Sequence, residues 1–164
     1  MGSYCRACAY CREHLLLRYR LGVVGLRLYG RPEPTTTLPM TASAEEILAF
    51  WFGEPAVDAA AVQALTKRWF HTDPEQDALT RDRFGSAMAD AAASRLQNWE
   101  GRPHRRLALI LLLDQFPRNV FRGTAAAFEQ DAKALNLTIS GIAAAQDRDL
   151  GPFERLFFYM PMQH

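Results

Sequence analysis

A cluster of polar residues follows the most apolar run in the sequence, residues 107–113. Five of its side chains carry charge or amide groups: Asp114, Gln115, Arg118, Asn119 and Arg122. Arg118 and Arg122 are four positions apart, so they share one face if Pro117 opens a short helical turn. Two guanidinium groups on one face form a forked donor set suited to a carboxylate or a phosphate. The spacing thus indicates a candidate anion site.

A structural role explains the same cluster equally simply. Asp114 lies at the negative end of its helix dipole, where a carboxylate is disfavoured unless a cation lies nearby, and Arg118 is one helical turn away. The two residues then tie down a loop. Asp131, expected about two turns into the following helix, is a further candidate partner for the arginines. The binding hypothesis instead requires Arg118 and Arg122 to point into a shared groove near Trp51 or Phe121.

Composition excludes some classes of partner. The chain has 164 residues, enough for one domain with a single core, and its net charge of +1 gives no general case for nucleic acid or membrane binding. No apolar run reaches the length of about 18 residues that a membrane span needs. We therefore expect a cytoplasmic protein that binds neither nucleic acid nor membrane.

Residues 1–39 differ from the remainder. They contain six Arg and two Glu, whereas residues 40–164 carry a net charge of −3. All three cysteines lie here with the spacing C-x2-C-x2-C, a pattern that short sequences often produce by chance and that predicts no metal site. We expect a poorly structured basic extension over residues 1–39 and an all-helical domain over residues 40–164. Met40 fits an internal start of that domain.

Helix signals recur through the domain. Ser43 and Glu46 form a capping-box pattern before an apolar face, and Asp73 with Pro74 starts a long helix that we expect to continue to Trp99. Residues 57–70, 104–115 and 125–145 also show helical patterns, and a last helix begins near Phe153. The run 107–113 is rich in Leu and nearly free of β-branched residues, so it predicts a helix buried on all sides.

Most aromatic residues are expected in the core. This prediction covers Trp51, Phe52, Trp69, Phe70, Phe84, Trp99, Phe116 and Phe121. The whole pattern predicts an all-α fold, an array of antiparallel helical hairpins around a central apolar helix.

Four segments carry a family resemblance: "ILAFWFG", "RWFHTD", "LALILLLDQFPRNVFRGTAAAFEQDAKAL" and "ERLFFYMPMQH". Together they resemble the bacterial family known as domain of unknown function 924, over residues 45–164. The resemblance implies a tetratricopeptide-like fold and recurrent polar residues at the cluster positions and at Asp131. It also implies that the domain is C-terminally incomplete, because family members continue past the final Pro-x-x-His step.

The resemblance implies no reaction, so the function is inferred from the residues. We expect a binding module for a small anionic ligand or a protein segment, with Trp51, Asp131 and His164 beside the polar cluster. No cofactor or metal is expected. The alternative is a hydrolase or transferase acting on an anionic small molecule, with Asp114 or His164 as base.

Overall fold

The computed structural model describes residues 41–53 and 58–163. The predictions for residues 1–39, including the three cysteines, and for His164 lie outside these ranges. Within them the chain forms seven α-helices, and no residue lies in a strand. The helices are α1 (Ala44–Phe52), α2 (Ala59–Phe70), α3 (Pro74–Ala92), α4 (Pro103–Leu113), α5 (Gln115–Val120), α6 (Asp131–Ala143) and α7 (Pro152–Tyr159). The all-α fold class is confirmed, and the tetratricopeptide-like arrangement stays a prediction.

The predicted helix starts are confirmed at α1 and α3. The Ser43 hydroxyl accepts a hydrogen bond from the Glu46 amide at 3.2 Å, and the Ser43 amide donates to the Glu46 carboxylate at 2.7 Å. Asp73 caps α3 through the amides of residues 75 and 76, with Pro74 at the first helical position. Such local caps depend only on neighbouring residues, so the sequence is sufficient to place them.

The predicted end of α3 at Trp99 is wrong. The helix ends at Ala92, Ser94 takes a left-handed conformation with φ of 60°, and a 3-10 turn follows at Gln97–Trp99. The Lys133 ammonium donates to the carbonyls of Ala91 and Ala92 at 2.6 and 3.0 Å. A cation from a distant helix thus binds carbonyls that a continuing helix would use for its own hydrogen bonds.

The predicted helix over residues 125–145 is also shorter than expected. A 3-10 turn covers Ala125–Ala127, and α6 begins only at Asp131. Asp131 is therefore the first residue of α6 and not two turns inside it. A carboxylate at this position interacts favourably with the positive end of the helix dipole.

Helix α4 forms the centre of the core, as predicted. Residues 107–113 are at most 3% exposed, and α4 contacts α1, α3, α5, α6 and α7. Aromatic side chains fill the space between α4 and its neighbours, with Phe84, Phe116, Phe157 and Phe158 fully or almost fully buried. Two aromatic residues predicted in the core are instead exposed, Phe70 at 58% and Phe121 at 42%.

None of the helices in the described ranges has the length and apolar character required to cross a membrane.

Candidate functional site

The polar cluster forms an ion-pair network at the junction of α4 and α5. Asp114 ends α4 and is fully buried. Arg118 reaches back from α5 and donates from Nη2 to Asp114 Oδ1 at 3.0 Å, and the same nitrogen donates to Asp131 Oδ1 at 3.0 Å. Since Asp131 opens α6, one guanidinium joins three helices. We call Asp114, Arg118 and Asp131 the junction network.

Two further side chains, Gln115 and Phe128, contact the junction network. Gln115 Nε2 donates to Asp114 Oδ2 at 2.6 Å, and the Arg118 guanidinium carbon lies 4.9 Å from the centre of the Phe128 ring. Arg118 Nε is buried and has no acceptor among the described residues. The guanidinium is thus held by two carboxylates and an aromatic face, an arrangement in which its charge is already compensated.

Arg122 belongs to a different ion pair. It lies beyond the end of α5 and binds the Asp77 carboxylate of α3 at 3.2 Å through Nε and Nη2. Asn119 is its neighbour, with Oδ1 at 3.5 Å from Arg122 Nη2. Arg118 and Arg122 therefore bind separate carboxylates. They do not form the shared anion pocket that the binding hypothesis required.

Trp51 lies in the aromatic core. It is 3% exposed and packs against Phe116 and Phe157, with ring centres 5.5 and 5.3 Å away. Its carbonyl accepts a hydrogen bond from the Trp69 indole at 2.9 Å, which fastens the end of α2 to the end of α1. The expected neighbour His164 lies outside the described residues.

A groove of about 210 Å³ lies beside the junction network, between α3 and the α5–α6 connection. Its lining is mainly apolar and includes the polar side chains of Arg81, Glu129 and Gln130. The other lining residues are Gly85, Met88, Ala89, Ala92, Leu112, Pro117, Val120, Phe121 and Ala126. Pro117 and Val120 belong to α5, the helix that Arg118 attaches to α6. The junction network therefore positions one wall of the groove.

Arg81 supplies a cation to this groove. Its Nη2 donates to the Val120 carbonyl at 2.9 Å across the groove. Within residues 41–53 and 58–163, no carboxylate lies within ion-pair distance of Arg81. Unlike Arg118 and Arg122, Arg81 retains a charge that a ligand can compensate, and most of its N–H groups remain available for an anion.

Gly85 opens the wall of the groove on α3. A Cβ at this position would have no heavy atom within 4 Å, apart from the backbone of α3 itself. Glycine within a helix costs roughly 1 kcal/mol relative to alanine. No close packing in the described structure requires a glycine at position 85. What the glycine does provide is open space on this side of α3.

Arg81 and Gly85 were missed in the sequence. A glycine in the middle of a long helix is a recognisable signal, because it sacrifices helix propensity without ending the helix. Arg81 has no such signal, since an arginine on a helix surface is ordinary.

The other missed residue is Arg106, an arginine only 6% exposed on α4. It donates to the carbonyls of Glu100 and Leu137 and to the side chains of Ser140 and Gln146, at 2.7 to 3.0 Å. Burial lowers the pKa of the guanidinium, and the Glu100 carboxylate opposes that shift. Its position directly before the apolar run was the available signal.

The part of the chain that the structure describes contains no group of three or more His, Cys, Asp or Glu side chains arranged to hold a metal ion.

The fold and the junction network define an all-α protein in which charged side chains connect the ends of buried helices. Residues 47–164 match the family described as a bacterial protein of unknown function, DUF924. The match extends over more than half of the chain, so the chain belongs to this family. No curated protein matches the chain.

A solved structure extends the comparison. The fold is similar to that of the protein of unknown function ATU0120 from Agrobacterium tumefaciens, with a TM-score of 0.64 and 36% sequence identity. The similarity covers 74% of this chain and 63% of that chain. This chain thus spans less than two thirds of the length of that relative.

Proposed function

We propose that the helical domain of residues 40–164 is a binding module that takes a small anionic ligand in the groove between α3 and the α5–α6 connection. The observation that carries the proposal is an apolar groove whose lining includes Arg81, an arginine that no carboxylate of the described residues approaches within ion-pair distance. Ligand sites typically pair an apolar lining with a few polar groups that orient the ligand.

The polar cluster contributes indirectly to this site. Arg118 and Arg122 are each bound by carboxylates, so a free anion would have to compete with Asp114, Asp131 or Asp77 for them. Among residues 41–53 and 58–163, no carboxylate competes with an anion for Arg81. In this proposal the junction network holds α5 in place, and Arg81 contacts the ligand.

The dimensions favour a small molecule over a protein segment. A groove of about 210 Å³ is smaller than the 300–1,000 Å³ of typical drug-sized pockets. A hydrolase or transferase has less support, because its expected base Asp114 is fully buried and already bound by Gln115 and Arg118. A small anion bound without chemistry is the role best supported by the geometry.

The test is a thermal-shift screen of the full chain against small carboxylates and phosphates. Ligands that bind only the folded state stabilise it by RT ln(1 + L/Kd), where L is the free ligand concentration, and so raise the melting temperature as that concentration exceeds Kd. Each compound that raises it is then tested on Gly85→Leu, whose side chain enters the groove while improving the helix propensity of α3.

The matched control is Gly101→Leu. Gly101 also has free space at its Cβ position, but it lies outside the groove, in the turn before α4. We expect the melting-temperature increase to disappear in Gly85→Leu and to persist in Gly101→Leu. A screen without a single compound that behaves in this way would refute the proposed function.

A further inference from the structure

We infer that the ligand is a small monocarboxylate with an apolar body of about five carbon atoms, and that Gly85 sets the size limit. This inference rests on the proposed function and adds the chemical class of the ligand. Three observations lead to it: the charge available in the groove, the volume of the groove and the missing side chain at position 85.

The charge in the groove matches an anion with a single negative charge. The charged side chains among the residues that line the groove are Arg81 and Glu129. A dianion such as a phosphate monoester would have only one cation for its two charges, and it would approach the Glu129 carboxylate. A monocarboxylate is neutralised by one guanidinium and accepts two parallel N–H hydrogen bonds from it.

The donor geometry of Arg81 agrees with this charge. One N–H of Nη2 is used by the Val120 carbonyl at 2.9 Å, which holds the guanidinium against the end of α5. The remaining N–H groups include pairs that fit the two oxygens of a carboxylate. A preorganised guanidinium loses little further side-chain freedom when it binds an anion.

The volume limits the size of the apolar part. A volume of about 210 Å³ is below the roughly 300–1,000 Å³ of drug-sized pockets, so the groove suits a short apolar tail. The apolar lining from Met88, Leu112, Val120 and Phe121 offers no charged group to a tail. A carboxylate with a tail of about five carbons therefore fills the groove, whereas acetate leaves most of it empty.

Gly85 determines how much of this volume is available. A Cβ at position 85 meets no heavy atom of a neighbouring element within 4 Å, and Gly85 lines the groove, so a longer side chain there would take up groove space. Most other residues would favour the helix more than glycine does, so Gly85 lowers the stability of α3. If the groove binds a ligand, this loss of stability is the consequence of keeping space open for it.

Hexanoate is the probe that tests this inference. It is titrated into the full chain, and binding is followed by the amide chemical shifts of groove residues such as Ala89 and Val120 in two-dimensional NMR spectra. We expect a dissociation constant of about 1 mM, as suits a ligand of this size. Acetate should bind at least tenfold more weakly, since each buried methylene contributes roughly fourfold in affinity.

Two variants assign the binding to its parts. Arg81→Gln should weaken hexanoate binding by roughly tenfold, because a charged hydrogen-bonding partner is lost. Arg148→Gln removes an exposed arginine outside the groove and should leave binding unchanged. Gly85→Leu should abolish the chemical-shift changes, whereas Gly101→Leu should retain them. Hexan-1-ol, which has the tail without the charge, should bind at least tenfold more weakly than hexanoate.

The outcomes separate the two proposals. If hexanoate fails to bind, or binds equally well to Gly85→Leu, the ligand class proposed here is wrong. If another anion then binds in a way that Gly85→Leu blocks, the groove remains the binding site and only its ligand class is overturned. If no anion depends on position 85, both proposals fail together.

Discussion

The two ends of α4 are each attached to α6 by an arginine, and the two arginines are satisfied differently. At the first end, Arg106 binds neutral acceptors near the end of α6, including the Leu137 carbonyl at 3.0 Å and the Ser140 hydroxyl at 2.7 Å. At the second end, Arg118 binds the carboxylates of Asp114 and Asp131, and Asp131 starts α6. These contacts require α4 and α6 to run antiparallel.

The difference follows the direction of the α6 dipole. A cation near the last turns of a helix is stabilised by its carbonyls, so the hydrogen-bond acceptors of Arg106 are neutral groups, and the Glu100 carboxylate lies 4.0 Å from its Nη1. The first turn of a helix favours a nearby anion, and the Asp131 carboxylate lies there. At this end of α6, Arg118 therefore binds a carboxylate. Two arginines with the same anchoring role thus differ because they meet opposite ends of one helix.

The largest effect is expected for Arg106→Met. The variant removes all five hydrogen bonds that Arg106 donates to the carbonyls of Glu100 and Leu137 and to the side chains of Ser140 and Gln146. Losing several buried hydrogen bonds to a charged donor is costly, although the two carbonyls keep Gln146 and Ser140 as donors. We expect a loss of about 3–5 kcal/mol in the free energy of unfolding, measured by urea denaturation. Arg105→Met, at an exposed neighbouring position with a 3.8 Å contact to Glu45, should change it by less than about 0.5 kcal/mol. Equal effects of the two variants would contradict the anchoring role of Arg106.

Arg118→Met should have the next largest effect. It removes the Arg118 guanidinium from the fully buried Asp114 carboxylate, and we expect a loss of about 2–3 kcal/mol in the same measurement. Arg122→Met is the control, because the Arg122 side chain is 43% exposed and its ion pair with Asp77 should contribute less than about 1 kcal/mol.

A double variant sharpens the test at this end of α4. Asp114→Asn removes the buried charge, so Arg118→Met should cost less in that background than in the parent protein. If Arg118→Met has the same effect in both backgrounds, the junction network is not held together by the charge of Asp114.

Gly141→Ala tests the packing at the Arg106 end. A Cβ at position 141 would lie 2.6 Å from the Phe158 ring and 2.7 Å from Arg106 Cδ, so both side chains, or the α6 backbone, must move. We expect a loss of about 1–2 kcal/mol, measured as a lower urea midpoint with an unchanged slope. Gly101→Ala, where the Cβ meets nothing within 4 Å, should leave the midpoint unchanged or slightly raised. A neutral Gly141→Ala would mean that α6 and α7 adjust easily at this contact.

The smallest effect concerns alkaline pH. Tyr159 donates to Asp147 at 2.6 Å, and this hydrogen bond, together with burial, raises the pKa of the tyrosine above its ordinary value. A folded-state pKa above the unfolded value means that the bond stabilises the protein fully below about pH 10, and that this contribution is lost as the pH rises through the folded-state pKa. Thermal unfolding of Tyr159→Phe should therefore differ from the parent at pH 8, by less than about 1 kcal/mol, and the difference should shrink as the pH rises above about 10. A difference that stays constant across this range would show that Tyr159 acts through packing alone.

The sequence was most informative where neighbouring residues decide the structure. The capping box of Ser43 and Glu46 and the start of α3 at Asp73 follow from contacts within four positions. The burial of α4 follows from seven consecutive apolar residues. The pairing of Asp114 with Arg118 was also predictable, because the two residues lie one helical turn apart.

The sequence was least informative where a side chain distant in the chain determines a helix end or an ion-pair partner. The end of α3 depends on Lys133, which is 41 positions away from Ala92, so no local pattern showed it. Arg122 was expected beside Arg118, but Asp77 on α3 binds it instead. The groove could not be predicted from the sequence for the same reason. Gly85 and Val120 line one groove only when α3 packs against α5.

The sequence by itself determined that this protein is helical, where several helices begin, which helix is central and that its end carries a charged cluster. Local hydrogen bonds, helix periodicity and apolar content are sufficient for these features. Only the tertiary structure decided which carboxylates Arg118 and Arg122 bind, where α3 ends and where α6 begins. It also decided that Arg81 lines an open groove with no carboxylate of the described residues within ion-pair distance. Those features depend on long-range contacts, and such contacts exist only after the helices have packed.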